Sequence, residues 1–248
     1  RIFACTFVAS LLGTAAMPAY AQDAADEGIG EIVVTAQKRE ESLQDTPISL
    51  VAMTARELET RQINGLTDLR SNVPNLQLTP HPNSAATTQV FMRGVGLNDD
   101  QITQDPSTAI YIDGVYVPRP SQGLFDFADL ARVEVLRGPQ GTLFGRNTTG
   151  GALNIVTKQP TGDFGGEARV AYGNYNTVEA SATLNVPLAG PELAARITYS
   201  FNRDDGYGRN ATLNRTTADQ AANHFVRAKL RWAPDGSDWD ATLSGDYN

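Results

Sequence analysis

The residues that could support catalytic or metal-binding chemistry are few in this chain of 248 residues, and they lie far apart. There are two histidines, His81 and His224, and neither belongs to a cluster with the spacing of a metal site. Asp99, Asp100 and Asp105 are of the residue type that binds calcium, but their spacing matches no known calcium loop. We therefore predict no catalytic residues, no bound metal and no cofactor, and we expect that the protein is not an enzyme.

Ion pairing is the second kind of chemistry that the sequence suggests. Arg93 and Arg137 each stand at the end of a predicted strand, directly before Gly94 and Gly138. A guanidinium group presents a rigid fork of donors that matches a carboxylate. Glu134 lies between two valines of its predicted strand and is one possible partner, while a carboxylate in another part of the protein is a second possibility. A third interpretation is that both arginines only stabilise the fold from within.

Composition excludes some classes of protein. The net charge is −8 and the isoelectric point is about 4.8, which argues against nucleic-acid binding because that function needs a basic face. The mean hydropathy of −0.30 and the hydrophobic content of 41% argue against a disordered chain. No segment after residue 21 approaches the roughly 20 consecutive apolar residues of a spanning helix. Strands that cross a membrane are not excluded, since they do not appear as long apolar runs.

The first 21 residues are typical of a secretory signal peptide. An apolar run over residues 2–16 is followed by Ala19-Tyr20-Ala21, a small-x-small cleavage site. The single cysteine, Cys5, lies inside this segment, so we expect a mature chain without disulfides. Residues 22–37 are predicted to form a flexible tether, with a short β-prone island at residues 31–36. An ordinary first strand of the next domain is the alternative interpretation of that island.

Residues 38–160 show a mixed α+β pattern. Thr54 and Glu57 have the spacing of a capping box and predict the start of a helix. Asp113-Gly114 is a two-residue turn signal between β-rich flanks and predicts a hairpin. A second helical turn is predicted at residues 66–70. The predicted strands cover residues 48–52, 89–93, 109–117, 132–136 and 152–157.

Residues 161–248 change to strict alternation between apolar and polar side chains. Five strands are predicted, over residues 167–172, 178–186, 195–202, 226–232 and 239–244. A period of two places the apolar residues on one face and the polar residues on the other. A soluble sandwich gives the same alternation, but the export signal, the aromatics near strand ends, and the short turns opposite a long connection at residues 203–223 favour a membrane barrel. A closed barrel needs at least about eight strands, so we expect the chain to be an N-terminal fragment.

Four segments together resemble one known family. They are EIVVTA (residues 31–36), FMRGVG (91–96), YIDGVYV (111–117) and RVEVLRGPQGTLFGRNTTGGALNIVTK (132–158). In this order they resemble the TonB-dependent outer-membrane receptors. The resemblance implies an α+β plug domain followed by antiparallel transmembrane β-barrel strands, in the outer membrane of a Gram-negative bacterium. It implies TonB-energised import of a scarce nutrient, with a ferric siderophore first and cobalamin, haem or an oligosaccharide as alternatives. A passive porin and a binding module without transport are the competing hypotheses.

The resemblance also implies residue roles. The island would be the TonB box, the segment bound by TonB, and it consists of Glu31, Ile32, Val33, Val34, Thr35 and Ala36. A plug–barrel latch would pair plug arginines with glutamates of the barrel wall, and its plug residues would be Arg93, Gly94, Glu134, Arg137 and Gly138. Outward-facing plug loops would contact the substrate, a small-molecule chelate, through His81, Asn83, Gln89, Asn98, Gln101, Gln104, Arg119 and Gln122.

Overall fold

The computed structural model describes residues 32–81, 84–97, 104–118, 127–206, 208–212, 214–217 and 220–248. The predicted signal peptide, the first part of the predicted tether and Glu31 lie outside these residues.

An α+β region forms the first part of the described chain. Its helical segments are α1 (Ala55–Thr60), a 3-10 helix (Leu66–Ser71) and α2 (Gly141–Phe144). Its strands are β1 (Val33–Val34), β2 (Glu41–Ser42), β3 (Leu50–Thr54), β4 (Leu76–His81), β5 (Ser84–Met92), β6 (Val95–Gly96), β7 (Thr108–Ile112), β8 (Val115–Val117), β9 (Leu130–Arg137) and β10 (Gly151–Thr157).

The main sheet of this region has the strand order β3-β9-β10-β7-β8, which places β9 and β10 near its centre. β10 pairs antiparallel with β9 and parallel with β7. One face carries Val133 and Val135 and packs on the helical layer, while the other carries Leu136 and Ala152 and packs against β1. Both faces are covered, and β10 is accordingly rich in apolar residues, whereas β9 carries Arg132 and Glu134 among its apolar residues.

Helix α1 begins where the sequence predicts. The Glu57 amide donates to the Thr54 hydroxyl at 3.4 Å, and the Thr54 amide donates to the Glu57 carboxylate at 2.9 Å. These two bonds confirm the capping box. Leu58 then buries its side chain in the core between α1 and the sheet.

The sequence did not predict strand β4. Its buried residues Leu76 and Leu78 alternate as in a strand, but Pro80 follows and removes a backbone donor. In the structure β4 nevertheless pairs antiparallel with β5, and the register shifts between Pro80 and His81. β6 completes this three-stranded sheet.

A second sheet follows, and every neighbouring pair of its strands is antiparallel. It is open, with β11 (Gly165–Tyr172) and β17 (Ala241–Tyr247) at its edges. A small separate hairpin consists of β14 (Gly208–Asn210) and β15 (Arg215–Thr217). The strands of the sheet are β11 (Gly165–Tyr172), β12 (Val178–Ala189), β13 (Leu193–Asp204), β16 (Gln220–Trp232) and β17 (Ala241–Tyr247).

The predicted alternation is confirmed in this second sheet. Ile197 and Tyr199 on β13 are 51% and 41% exposed, whereas Thr198 and Ser200 between them are 1% and 6% exposed. The polar residues face the α+β region and the apolar ones face away from it. Among the described residues, no helix has the length and apolar character needed to cross a membrane.

Candidate functional site

The segment predicted to bind TonB is docked on the main sheet. We call residues 32–36 the docked segment. Val34 and Ala36 are 0% exposed, whereas the preceding residue Val33 is 42% exposed. Val34 and Ala36 pack into a surface made mainly of small side chains and one tyrosine, namely Ala52, Ala109, Ala152 and Tyr111, with Leu136. The small residues leave room for the segment to lie close to the sheet.

One buried carboxylate, that of Glu134 on β9, holds the docked segment by hydrogen bonds. The Thr35 amide donates to Glu134 Oε1 at 2.8 Å, and the Thr35 hydroxyl approaches the same atom at 3.1 Å. Arg132 Nε donates to Oε1 at 2.7 Å, and Asn154 Nδ2 donates to Oε2 at 3.0 Å. We call these four residues the Glu134 clasp. Glu134 is 0% exposed, so its charge depends on these partners in place of water.

Within the described chain the Glu134 carboxylate contacts Thr35, Arg132 and Asn154, and not Arg93 or Arg137. Its part in a plug–barrel latch stays a prediction. Side chains alternate between the two faces of a strand. Glu134 therefore faces the docked segment together with Arg132, while Arg137 belongs to the opposite face of β9.

The structure does bring Arg93 and Arg137 into one neighbourhood around Ser49. Arg93 Nη2 donates to Ser49 Oγ at 2.9 Å, and the Arg137 amide donates to the Ser49 carbonyl at 2.9 Å. Arg137 Nε is buried and has no hydrogen-bond partner within the described chain. Gly94 and Gly138 adopt φ angles of 79° and 103°, which explains the need for glycine after each arginine. The pairing of these arginines with barrel-wall glutamates stays a prediction.

An ion pair joins the α+β region to the second sheet at Asp129, just before β9. Arg196 on β13 donates to both carboxylate oxygens of Asp129, each at 2.5 Å, and the Thr198 hydroxyl donates at 3.0 Å. Lys158 adds a longer contact at 3.8 Å. The Asp129 side chain is 3% exposed and that of Arg196 is 13% exposed, so this bidentate pair is largely shielded from water.

A second ion pair joins the two sheets at Asp113. Lys229 on β16 donates to Asp113 Oδ2 at 2.7 Å and also contacts the Thr157 hydroxyl. The Thr157 amide and hydroxyl donate to Asp113 at 2.8 Å and 2.7 Å. Asp113 and Gly114 have φ angles of 47° and 81°, which confirms the predicted turn between β7 and β8.

Sequence reasoning missed both of these ion pairs. Asp113 was interpreted only as a turn residue, and the expected latch had its cation on the plug. In the observed pairs the carboxylate belongs to the α+β region, and the cation belongs to the second sheet. The available signal was the presence of Arg196 and Lys229 on the polar face of their strands, where a cation facing protein needs an acidic partner.

An aromatic cluster borders the docked segment. The Tyr111 hydroxyl donates to the Phe144 carbonyl at 2.5 Å, and Asn147 Nδ2 donates to the Tyr116 hydroxyl at 2.8 Å. The ammonium group of Lys38 lies 5.6 Å from the centre of the Phe144 ring. Burial, with a smaller contribution from Tyr116, raises the pKa of Tyr111 above its usual 10.0. The neutral phenol is therefore the form that caps the Phe144 carbonyl.

A polar cleft of about 170 Å³ lies between α1 and the second sheet. Asn64 Nδ2 crosses to Glu179 on β12 at 3.0 Å and closes one side of it. The charged residues that line the cleft are Glu59, Asp129, Lys158, Glu167, Arg169 and Glu179. The described residues contain no group of three or more His, Cys, Asp or Glu side chains that could hold a metal ion.

Most residues predicted to contact the substrate are not described by the structure. Gln89 is half-buried on β5 and Gln104 is exposed. Of His81 only the backbone, at the end of β4, is described. The remaining predicted residues lie outside the described chain, namely Asn83, Asn98, Gln101, Arg119 and Gln122.

Comparison with known proteins gives consistent matches. Residues 42–152 match the family model of the TonB-dependent receptor plug domain. The chain is 29% identical over 232 residues to the pesticin receptor of Yersinia pestis, covering 92% of this chain and 34% of that protein. It is 25% identical over 181 residues to the vitamin B12 transporter BtuB of Vibrio cholerae, covering 71% of this chain and 28% of that protein. The chain thus spans about a third of the length of the curated relatives that it matches.

A solved structure extends the match beyond the region of the family model. The crystal structure of the ferric yersiniabactin uptake receptor FyuA from Yersinia pestis matches with a TM-score of 0.70 at 26% identity, covering 80% of this chain and 31% of that chain. The α+β region therefore corresponds to the plug, and the second sheet to part of the barrel wall. The chain is thus similar to the TonB-dependent outer-membrane receptors: residues 42–152 match their plug domain, and the antiparallel strands that follow resemble part of the β-barrel wall of a solved relative.

Proposed function

We propose that the protein imports a scarce nutrient across the outer membrane with energy delivered by TonB. The docked segment carries this proposal, because it is a short β-prone stretch at the start of the plug that pairs with β2 over only two residues. An extended segment of this kind can be bound by a partner through strand addition. The outer membrane has no ATP, so work on the plug must come from a partner that reaches it from the periplasm.

The proposed cycle has three steps. Substrate binds from outside to the plug loops and the barrel. The docked segment then becomes available in the periplasm, where TonB adds it as a strand and transmits force derived from the inner-membrane proton gradient. The plug is partly remodelled, and a path opens between plug and wall. The polar cleft beside α1 is our candidate for the start of that path, since it already separates the two parts.

A ferric siderophore is the first candidate substrate. A matched structure is that of a ferric yersiniabactin uptake receptor. Siderophores bring their own ligands for iron(III), so the receptor itself needs no metal ligands. The match to a vitamin B12 transporter makes cobalamin the second candidate, and haem and oligosaccharides remain alternatives. The residues predicted to contact the substrate, including Gln89 and Gln104, are part of this proposal.

The competing functions predict other features. A passive porin needs neither a plug nor a docked segment, and a binding module without transport needs no segment that TonB can release. We propose that the protein is a transport receptor and has no catalytic activity.

Substitution of Val34 by proline tests the role of the docked segment. Proline removes a backbone donor, so the segment loses its ability to pair as a strand with TonB. We expect Val34→Pro to abolish uptake by the full-length receptor while substrate binding to whole cells is retained. Val34→Thr is the matched control, because it keeps the amide and a similar shape. Normal uptake by the proline variant would refute the assignment of this segment as the TonB box.

A further inference from the structure

We propose that Glu134 controls the access of TonB to the receptor, by holding Thr35 against the plug until the segment is released. This inference rests on the proposed function for the identity of the partner. The carboxylate is a positioning group, since it acts through its contact with Thr35.

One edge of the docked segment is paired with β2, and the Thr35 amide on its other edge is also occupied. On one side β1 pairs with β2, where Val34 is opposite Glu41, and the Leu43 amide donates to the Ile32 carbonyl at 2.9 Å. On the other side the Thr35 amide is occupied by Glu134 at 2.8 Å. Strand addition requires unpaired backbone groups. TonB therefore cannot pair with the segment at Thr35 while the clasp is closed.

Thr35 is the central contact of the clasp. Its hydroxyl accepts from Arg132 Nη2 and from Asn154 Nδ2, each at 3.2 Å, and it lies 3.1 Å from Glu134 Oε1. Three side chains of β9 and β10 thus converge on one residue of the segment. Neighbouring residues of the segment contribute apolar packing, but no other side chain of residues 32–36 has a comparable set of polar contacts in the described chain.

When the clasp opens, the Glu134 carboxylate keeps two of its hydrogen-bond donors. When Thr35 departs, Arg132 Nε at 2.7 Å and Asn154 Nδ2 at 3.0 Å still donate to the carboxylate. A buried charge that kept no partner would oppose release strongly. Because two partners stay on the plug sheet, release costs the bonds to Thr35 and the packing of Val34 and Ala36, without an orphaned charge. The arrangement suits a segment that must dock and undock repeatedly.

Thiol labelling at position 34 measures the release directly. Val34 is 0% exposed, so a cysteine there reacts with a maleimide only when the segment has left the sheet. The experiment uses purified full-length receptor without substrate and without TonB, and the parent lacking Val34→Cys serves as the labelling blank. In the Val34→Cys background we expect Glu134→Gln to accelerate labelling about tenfold, because a charge-assisted acceptor is lost. Glu40→Gln is the matched control, since Glu40 is exposed and lies close to the same segment, and it should leave the rate unchanged.

A second variant distinguishes the loss of the contact with Thr35 from a general destabilisation of the plug. Thr35→Val removes the hydroxyl from the segment and leaves the plug sheet intact, so we expect a smaller rise of about threefold. Binding of the purified periplasmic domain of TonB without substrate should strengthen in the same order. Unchanged labelling in both variants would overturn the proposal, and so would a rise in Glu134→Gln with none in Thr35→Val. These readouts do not depend on import, so a failure of the proposed transport function would be seen separately in the uptake assay.

Discussion

The plug uses buried carboxylates in two different ways. Glu134 holds a neutral partner, Thr35, and keeps Arg132 and Asn154 from its own sheet when that partner leaves. Asp129 instead receives its main countercharge from Arg196 on the barrel wall. Separation of plug and wall there would leave charges without their partner, which is costly for buried groups. The comparison teaches that the first contact suits repeated opening, whereas the second suits firm seating of the plug against the wall.

The Asp113 contact lies between these two cases. Lys229 comes from the wall, but Thr157 on β10 donates two hydrogen bonds to the same carboxylate from within the plug. Loss of the wall cation would therefore leave Asp113 partly satisfied. If burial and the presence of other partners within the plug decide how much each contact contributes to stability, the substitutions below should differ in the order in which they are given.

The largest effect is expected for Arg196→Met. The substitution leaves the buried Asp129 with the Thr198 hydroxyl and with Lys158 at 3.8 Å. We expect about 3–5 kcal/mol less stability for the seated plug, measured as a lower denaturant midpoint of the full-length receptor, and a higher sensitivity of cells to large hydrophilic antibiotics. The double variant with Asp129→Asn should recover much of the loss, and an unchanged midpoint in the single variant would contradict the seating role.

A smaller effect is expected for Lys229→Met. Because Thr157 keeps its two bonds to Asp113, we expect a loss of about 2 kcal/mol in the same denaturation experiment. A loss of stability as large as that of Arg196→Met would show that the two hydrogen bonds from Thr157 do not compensate for the missing cation.

Tyr111→Phe tests the surface beneath the docked segment. The variant loses the bond from the phenol to the Phe144 carbonyl, and we expect a loss of about 1 kcal/mol. Burial raises the pKa of Tyr111 above 10.0, so its contribution to stability is present below pH 10.0 and is lost as the pH rises through the raised pKa. The difference in stability between parent and variant should thus shrink at alkaline pH, and a difference that grows there would contradict the assignment.

The smallest effect is expected for Arg231→Ala. Its partner Asp240 is reached at 2.7 Å, a distance similar to those in the plug contacts, but the two side chains are 36% and 54% exposed. Solvent weakens such pairs, so we expect a change below about 1 kcal/mol. A loss comparable to that of Arg196→Met would show that burial does not set the order of effects.

The sequence predicted the features that depend on local pattern. The alternation around Ile197 and Tyr199, the capping box of Thr54 and the turn at Asp113 all follow from spacing within a few residues. Strand β4 was not predicted because Pro80 interrupts its pattern, and pairing with β5 outweighs the lost donor.

The partners of the charged residues could not be predicted in the same way. Asp129 and Arg196 are 67 positions apart, so their pairing depends on how the plug sits in the wall. Glu134 was selected from the sequence as one possible partner of Arg93 or Arg137, but in the structure it contacts Arg132, Asn154 and Thr35. The period of two places Glu134 and Arg137 on opposite faces of β9, and this argument was available from the sequence alone. The contact between Thr35 and Glu134 could not be predicted from the sequence, because the two residues are 99 positions apart.

The central claim is that the docked segment couples the receptor to TonB for import. The most direct test follows the uptake of radiolabelled iron from a panel of siderophores, in a receptor-deficient host, by the complete receptor with and without residues 31–36. Our account predicts uptake from at least one siderophore, abolished by the deletion while binding persists. Equal uptake with and without the segment would contradict the account.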